Sequence, residues 1–155
     1  MKTYILAPIF GFILLSSCSS ETAVSPDIKV ASCSVNDTVV SGVPSVKAGD
    51  VVELALKLEG NGSELVSFQA NADDKEEVKM SLADYEKENV SVEKNFTNTT
   101  ECRLRFVDGV TISSVKVKAT VNSVQNEGAT LKFYLSARAD SEGNGSELEV
   151  NLKKK

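Results

Sequence analysis

Residues 51–59 read VVELALKLE. Val52, Leu54, Leu56 and Leu58 share one parity, while Glu53, Ala55, Lys57 and Glu59 take the other. Successive side chains of an extended chain point to opposite faces. The stretch therefore has one apolar face and one wet face, as a strand of an antiparallel sheet does. The same alternation recurs along the chain. Val66, Phe68 and Ala70 share a parity within 65–72, and Cys102, Leu104 and Phe106 alternate with Arg103 and Arg105. Val115, Val117, Ala119 and Val121 alternate with Lys116, Lys118 and Thr120. Leu131, Phe133, Leu135 and Ala137 alternate with Lys132, Tyr134, Ser136 and Arg138, and Leu148, Val150 and Leu152 follow suit. Two such sheets closing over one core make a sandwich. The expectation is an all-β, antiparallel two-sheet Ig-like sandwich of about seven to nine strands.

Three stretches depart from simple alternation. Val110 and Ile112 are even while Val115 to Val121 are odd, so Ser113-Ser114 reads as a bulge or a crossing between sheets. Ile28 and Val30 likewise differ in parity from Cys33 and Val35. Asp73 to Asn89 fits strand spacing through Val78, Met80 and Leu82, and helical spacing through Val78, Leu82 and Tyr85. It reads as a strand or a short helical turn within a long connection.

The chain has 155 residues, 41% hydrophobic and 25% charged, with 17 basic against 22 acidic side chains and a net charge of -5. One domain is the natural count. An acidic chain without a basic stripe is a poor partner for nucleic acid. There is no His, the side chain most used for proton transfer near neutral pH and the commonest Zn ligand. Serines are plentiful, but a Ser nucleophile lacks its His and no G-x-S-x-G elbow occurs. Asp73, Asp74, Glu76 and Glu77 match no EF-hand spacing and read as a solvated acidic loop. No catalytic residue, metal site or cofactor is expected, and the chain reads as non-enzymatic.

Residues 1–20 read MKTYILAPIFGFILLSSCSS. Lys2 followed by the apolar run Tyr4 to Leu15 is the pattern of a secretory signal, too short for a comfortable transmembrane helix. Leu15-Ser16-Ser17-Cys18 resembles the lipobox of bacterial lipoprotein signal peptides. That resemblance implies cleavage before Cys18 and a diacylglycerol thioether on its sulfur, usually with N-acylation (palmitate being one such chain). The division expected is 1–17 signal peptide, 18–26 lipidated tether and 27–155 sandwich domain. Ser19 to Pro26, SSETAVSP, has a tether's composition.

If Cys18 is lipidated, Cys33 and Cys102 remain, an even number for an oxidising compartment. A disulfide between them would close a loop of about 70 residues and stabilise by roughly 4 kcal/mol. It is the preferred reading; two buried thiols are the alternative. The string EGNGSEL occurs twice, at 59–65 and 142–148. Asn-Gly favours a type I′ turn, so the repeat reads as one good turn used twice, ahead of paired ligand loops. Tyr134, on a wet face beside Lys132 and Arg138, and Tyr85 are the candidates for a recognition patch, since aromatic faces stack on sugar rings.

Val46-Lys47-Ala48-Gly49-Asp50, followed by the run 51–58, resembles a recurrent opening of bacterial Ig-like domains. There is no core Trp, and Thr100 stands where a tyrosine corner would place Tyr, two residues before Cys102. Asp37-Thr38-Val39 resembles the O-glycosylation motif of Bacteroidota envelope proteins and marks Thr38 as an acceptor. The whole profile is similar to small Ig-like envelope lipoproteins of that phylum, a family without assigned function. It implies an outer-membrane lipoprotein, on the surface or the periplasmic face, that binds a glycan or protein ligand without catalysis. A structural subunit of pilus type, an enzyme inhibitor and a carbohydrate-processing accessory protein are the alternatives; the oligomeric state is open.

Overall fold

A computed structural model describes residues 24–93, 97–125, 127–139 and 144–155. The signal segment, Cys18, the tether up to residue 23 and the first two residues of the second EGNGSEL copy, 142–143, lie outside the described residues. The elements are β1 Asp27–Val35, β2 Thr38–Val39, β3 Ser45–Val46, β4 Val51–Glu59 and β5 Leu65–Ala72, then β6 Val78–Tyr85, β7 Arg103–Arg105, β8 Ile112–Val121, β9 Gly128–Ala137 and β10 Asn144–Lys154. They form two five-stranded sheets: β2-β1-β4-β8-β6, here sheet A, and β3-β10-β9-β5-β7, here sheet B. Every pairing is antiparallel except β3 with β10. The segment open to two readings becomes the strand β6 followed by a short 3-10 turn at Lys87–Asn89.

The inward faces are those the alternation predicts. Val52, Leu54, Leu56 and Leu58 are buried to 1% exposure or less, opposite Val115, Val117 and Ala119 along β8. Phe68 of β5 and Phe133 of β9 are fully buried, with ring centroids 6.4 Å apart and planes 17° from parallel. Aromatic burial of this kind contributes the largest single terms to a core.

Three bulges keep the long strands in parity with their neighbours. In β1 the register slips between Val30 and Ser32, which lets both Ile28 and Cys33 face inward despite their opposite parity. In β5 it slips between Leu65 and Ser67, so Leu65 takes the buried place and Val66, expected inside, is only half-buried. In β6 it slips between Leu82 and Asp84. The irregularity expected at Ser113-Ser114 is absent: β8 starts at Ile112 and runs in unbroken register, with Ser113 buried opposite Leu58. Val110, whose parity suggested the break, belongs to the preceding turn.

The expected Cys33–Cys102 bond is not formed; both thiols are free and buried. Their places in the fold explain this. Cys33 lies in β1, on the flank of sheet A that faces β10 and β9. Cys102 donates no strand pairing to that flank; its carbonyl accepts from the Ala70 amide of β5, on the side of the sandwich that faces β6. From β1 to β6 is three strand spacings, about 14 Å. A disulfide needs Cα atoms within about 7 Å. Burial raises both thiols, Cys102 to about 11.

The turn at Lys47–Asp50 latches β1 to β4. Gly49 takes φ +91°, which favours glycine there. Asp50, 5% exposed, accepts from the Lys47 amide at 3.0 Å and from Asn36 Nδ2 at 2.9 Å, while Asn36 Oδ1 accepts from the Val51 amide. The Asn36 hydrogen bond, then the Lys47 amide, hold the Asp50 carboxyl below the usual carboxylate range.

Truncating Phe133 to Ala should cost about 3–5 kcal/mol of unfolding free energy, read by urea melts with an unchanged slope. Asp50→Asn should be less stable than the parent at neutral pH. A depressed carboxyl contributes above its unfolded-state value and loses that contribution as pH falls through the folded one. The gap in Tm between the two proteins should therefore narrow below about pH 4; a gap that stays constant to pH 2 would rule the latch out as its source. In Cys18→Ser protein unfolded without reductant, alkylation should count two thiols, both slow to react before unfolding. A Cys33–Cys102 peptide pair in non-reducing mass mapping would contradict the free-thiol assignment.

Candidate functional site

The strand register lays out the outer face of sheet B as three rows. Gly145, Ser136, Ser67 and Arg105 form the first, and Glu147, Tyr134, Gln69 and Arg103 the second; Glu149, Lys132 and Asn71 form the third. Side chains two apart on one strand stand on the same face, so these rows are neighbours. Tyr134 sits at the centre and is 37% exposed. Ser67 and Ser136 share a hydrogen bond at 2.7 Å in the row beside it. Gly145, opposite Ser136, contributes no side chain, and this leaves a groove of about 420 Å³ between Tyr134, Ser136, Gly145 and Glu147. Lys132 is held by Asp73 and Glu149, each at 3.2 Å, and these partners raise it to about 12. An aromatic surface beside amide, hydroxyl and carboxylate groups can stack on an apolar ring face and hydrogen-bond to its hydroxyls.

Tyr85 does not join this face. It pairs with Val115 at the end of β6 in sheet A and packs against the edge of the core. The two tyrosines expected to share a patch therefore lie on different sheets. The bulge before Asp84 turns Tyr85 inward, which spacing alone did not reveal. A second groove, about 460 Å³, crosses the outside of sheet A over Ala31 and Ala55, between Lys57, Lys116 and Asp84. Glu86 at its end accepts from Ser113, Ser114 and Asn89, and so serves the turn that closes β6.

Thr38 is exposed on β2, directly after Asn36 (φ +49°) and Asp37 (φ +63°), the two positive-φ residues of a type I′ hairpin. The acidic cluster is used locally. Asp74 Oδ1 accepts from the Glu76 and Glu77 amides, and the Glu77 carboxylate accepts from the Gln125 amide at 2.9 Å. Among the described residues, no three His, Cys, Asp or Glu side chains converge as metal ligands, and no helix is long and apolar enough to cross a membrane. What sequence reasoning missed is Ser67, Gln69, Ser136 and Gly145 as companions of Tyr134. Period-two parity put Ser67, Gln69 and Ser136 on wet faces and left Gly145 in a turn, but only strand pairing sets them side by side.

The repeated string is the other correction. Residues 59–65 turn the chain from β4 in sheet A across to β5 in sheet B, with Asn61 at φ +51°. In the second copy Asn144 and Gly145 are already β10 residues, paired with Ala137 and Ser136. One turn used twice is therefore not what the string forms.

No curated protein matches the sequence. Among solved structures, domains 4 and 5 of the S-layer protein SbsC align at 12% identity and TM-score 0.40, over 84% of this chain and 53% of that one. The chain thus spans about half the length of that S-layer fragment. The ASH/PapD-like domain 7 of human CEP192 aligns at 9% identity and TM-score 0.42, over all of this chain and 96% of that one. AggA, the major subunit of aggregative adherence fimbriae type I from Escherichia coli, aligns at 12% identity and TM-score 0.38, over 85% and 98%. Likeness at this level does not extend to function. The match of a family model is of a different order, since it runs over residues 21–153, the whole sandwich, and the chain belongs to that family, a domain of unknown function (DUF5035).

Proposed function

We propose that this protein is a non-catalytic binding module of the bacterial cell envelope, held on an outer membrane by lipid on Cys18, and that it captures glycans on the outer face of sheet B. The observation that carries the binding reading is the row Glu147–Tyr134–Gln69–Arg103, with the groove left open by Gly145 beside it. A sugar ring stacked on Tyr134 would find planar hydrogen-bonding groups on both sides of it. The anchor rests on the lipobox likeness of Leu15-Ser16-Ser17-Cys18, and the Bacteroidota-type origin on the likeness of the whole profile. A chain without His supports the non-catalytic reading. Thr38, exposed on its hairpin, is the proposed O-glycan acceptor.

A second reading has one observation in its favour. Among the described residues, the outer edge of β10 is paired only at Lys153 and Lys154, by β3. An open edge accepts a further strand, as in assembled subunits. Concentration-dependent oligomers in size-exclusion chromatography would favour that reading.

On a glycan array the protein should show saturable binding that Tyr134→Ala abolishes and Tyr85→Ala leaves intact. Equal loss in both variants, or binding indifferent to Tyr134, would move the site off this face. Labelled fatty acid should enter the parent and not Cys18→Ser; continued uptake by that variant would remove the anchor.

A further inference from the structure

The end of the sandwich where the chain enters β1 gives the repeated string a shared role. Asn61 Nδ2 donates to the Ser25 carbonyl at 2.7 Å, and Asn144 Nδ2 donates to the Val24 carbonyl at 2.9 Å. Asn61 and Asn144 are the same position, the third, in the two copies of EGNGSEL. They reach the segment from different elements and in different backbone conformations, one in the β4–β5 turn and one opening β10. Pro26 confines Ser25 to extended conformations. In an extended chain, consecutive carbonyls point to opposite sides. Two amides on consecutive carbonyls therefore grip the segment from two sides.

We infer that the two EGNGSEL copies form a clasp for the N-terminal segment, binding the Val24 and Ser25 carbonyls and making residues 24–26 part of the folded domain. Apolar contact holds Pro26, which is buried, but does not account for the hold on Val24, which is 62% exposed; Asn144, which grips it, is 8% exposed. The first copy is set in place before it meets the segment. Its Gly60 amide donates to Thr111 and its Ser63 amide to Gly60. A Cβ on Gly60 would lie 2.0 Å from the Ser63 oxygen, so only glycine fits. Arg138 then ties the turn to its neighbours, with its amide donating to the Glu64 carbonyl and its guanidinium reaching Glu64 and Asp108, each at 2.8 Å.

The consequence for orientation rests on the lipid-anchor reading, whereas the clasp does not. With residues 24–26 held, only residues 18–23 are left between anchor and domain, a reach of about 20 Å when fully extended. The clasp end would face the membrane, and the Asn36–Asp37 hairpin and Thr38, at the opposite end of the strands, would face away from it.

The test uses the full-length chain with Cys18→Ser in mild detergent, so that lipidation plays no part. A nitroxide on Val24→Cys reports the segment by electron paramagnetic resonance, with Cys33 and Cys102 protected by burial. The spectrum should be immobilised. Asn61→Gly, which keeps the positive φ, and Asn144→Ala should each raise the mobile fraction about threefold to tenfold, and the pair together more. Circular dichroism should show the strand content retained in Asn61→Gly. A label equally mobile with and without Asn61→Gly would overturn the clasp, even if the double variant does not fold. Loss of fatty-acid labelling bears on the anchor alone, so the two readings fail separately.

Discussion

The structure depends on one constraint, the register of β4 between β1 and β8. Leu54 stands between Cys33 and Val117, and Leu56 between Val30 and Val115. A slip of one residue would turn four buried apolar side chains outward and bring Glu53, Lys57 and Glu59 into the core. Each buried aliphatic side chain contributes about 1.5–3 kcal/mol, and an unpaired charge in the interior costs more than that. No alternative register competes against such a difference. The three bulges serve the same end: each absorbs one residue so that β1 beside β4, β6 beside β8 and β5 beside β9 keep their apolar positions inside.

The same lattice gives the two outer faces different characters. Sheet A carries ion pairs, such as Glu59 between Lys29 and Lys57, whose lysines pull its carboxyl down to about 2. Exposed pairs of this kind contribute little to stability. Sheet B carries hydroxyl, amide and aromatic groups in its central rows, with Lys132 saturated by Asp73 and Glu149 at one side. What sets sheet B apart is Tyr134, an exposed ring with Gln69 and Glu147 directly beside it.

The ends of the strands carry the remaining polar devices. The Asn36–Asp50 latch closes one end, and the Asn61 and Asn144 amides close the other around the entering chain. In both places an asparagine near a turn satisfies backbone groups that no ladder reaches. Such side-chain bonds are local in space but not in sequence, and pattern reading passes over them.

Strand positions and their buried faces were legible in the sequence alone, because alternation is a property of consecutive residues. Phe68, Phe133 and the β4 leucines could be assigned to the core without any partner being known. The tertiary structure decided whatever depends on which strands lie side by side: the separation of Cys33 from Cys102, the parting of Tyr85 from Tyr134, and the company that Tyr134 keeps. EGNGSEL shows the division most clearly. Seven identical residues form a turn in one place and enter a strand in the other, since local preference is worth too little to override pairing with β9. The two asparagines meet on one segment only because the fold brings the β4–β5 turn and the start of β10 to the end of the sandwich where β1 begins.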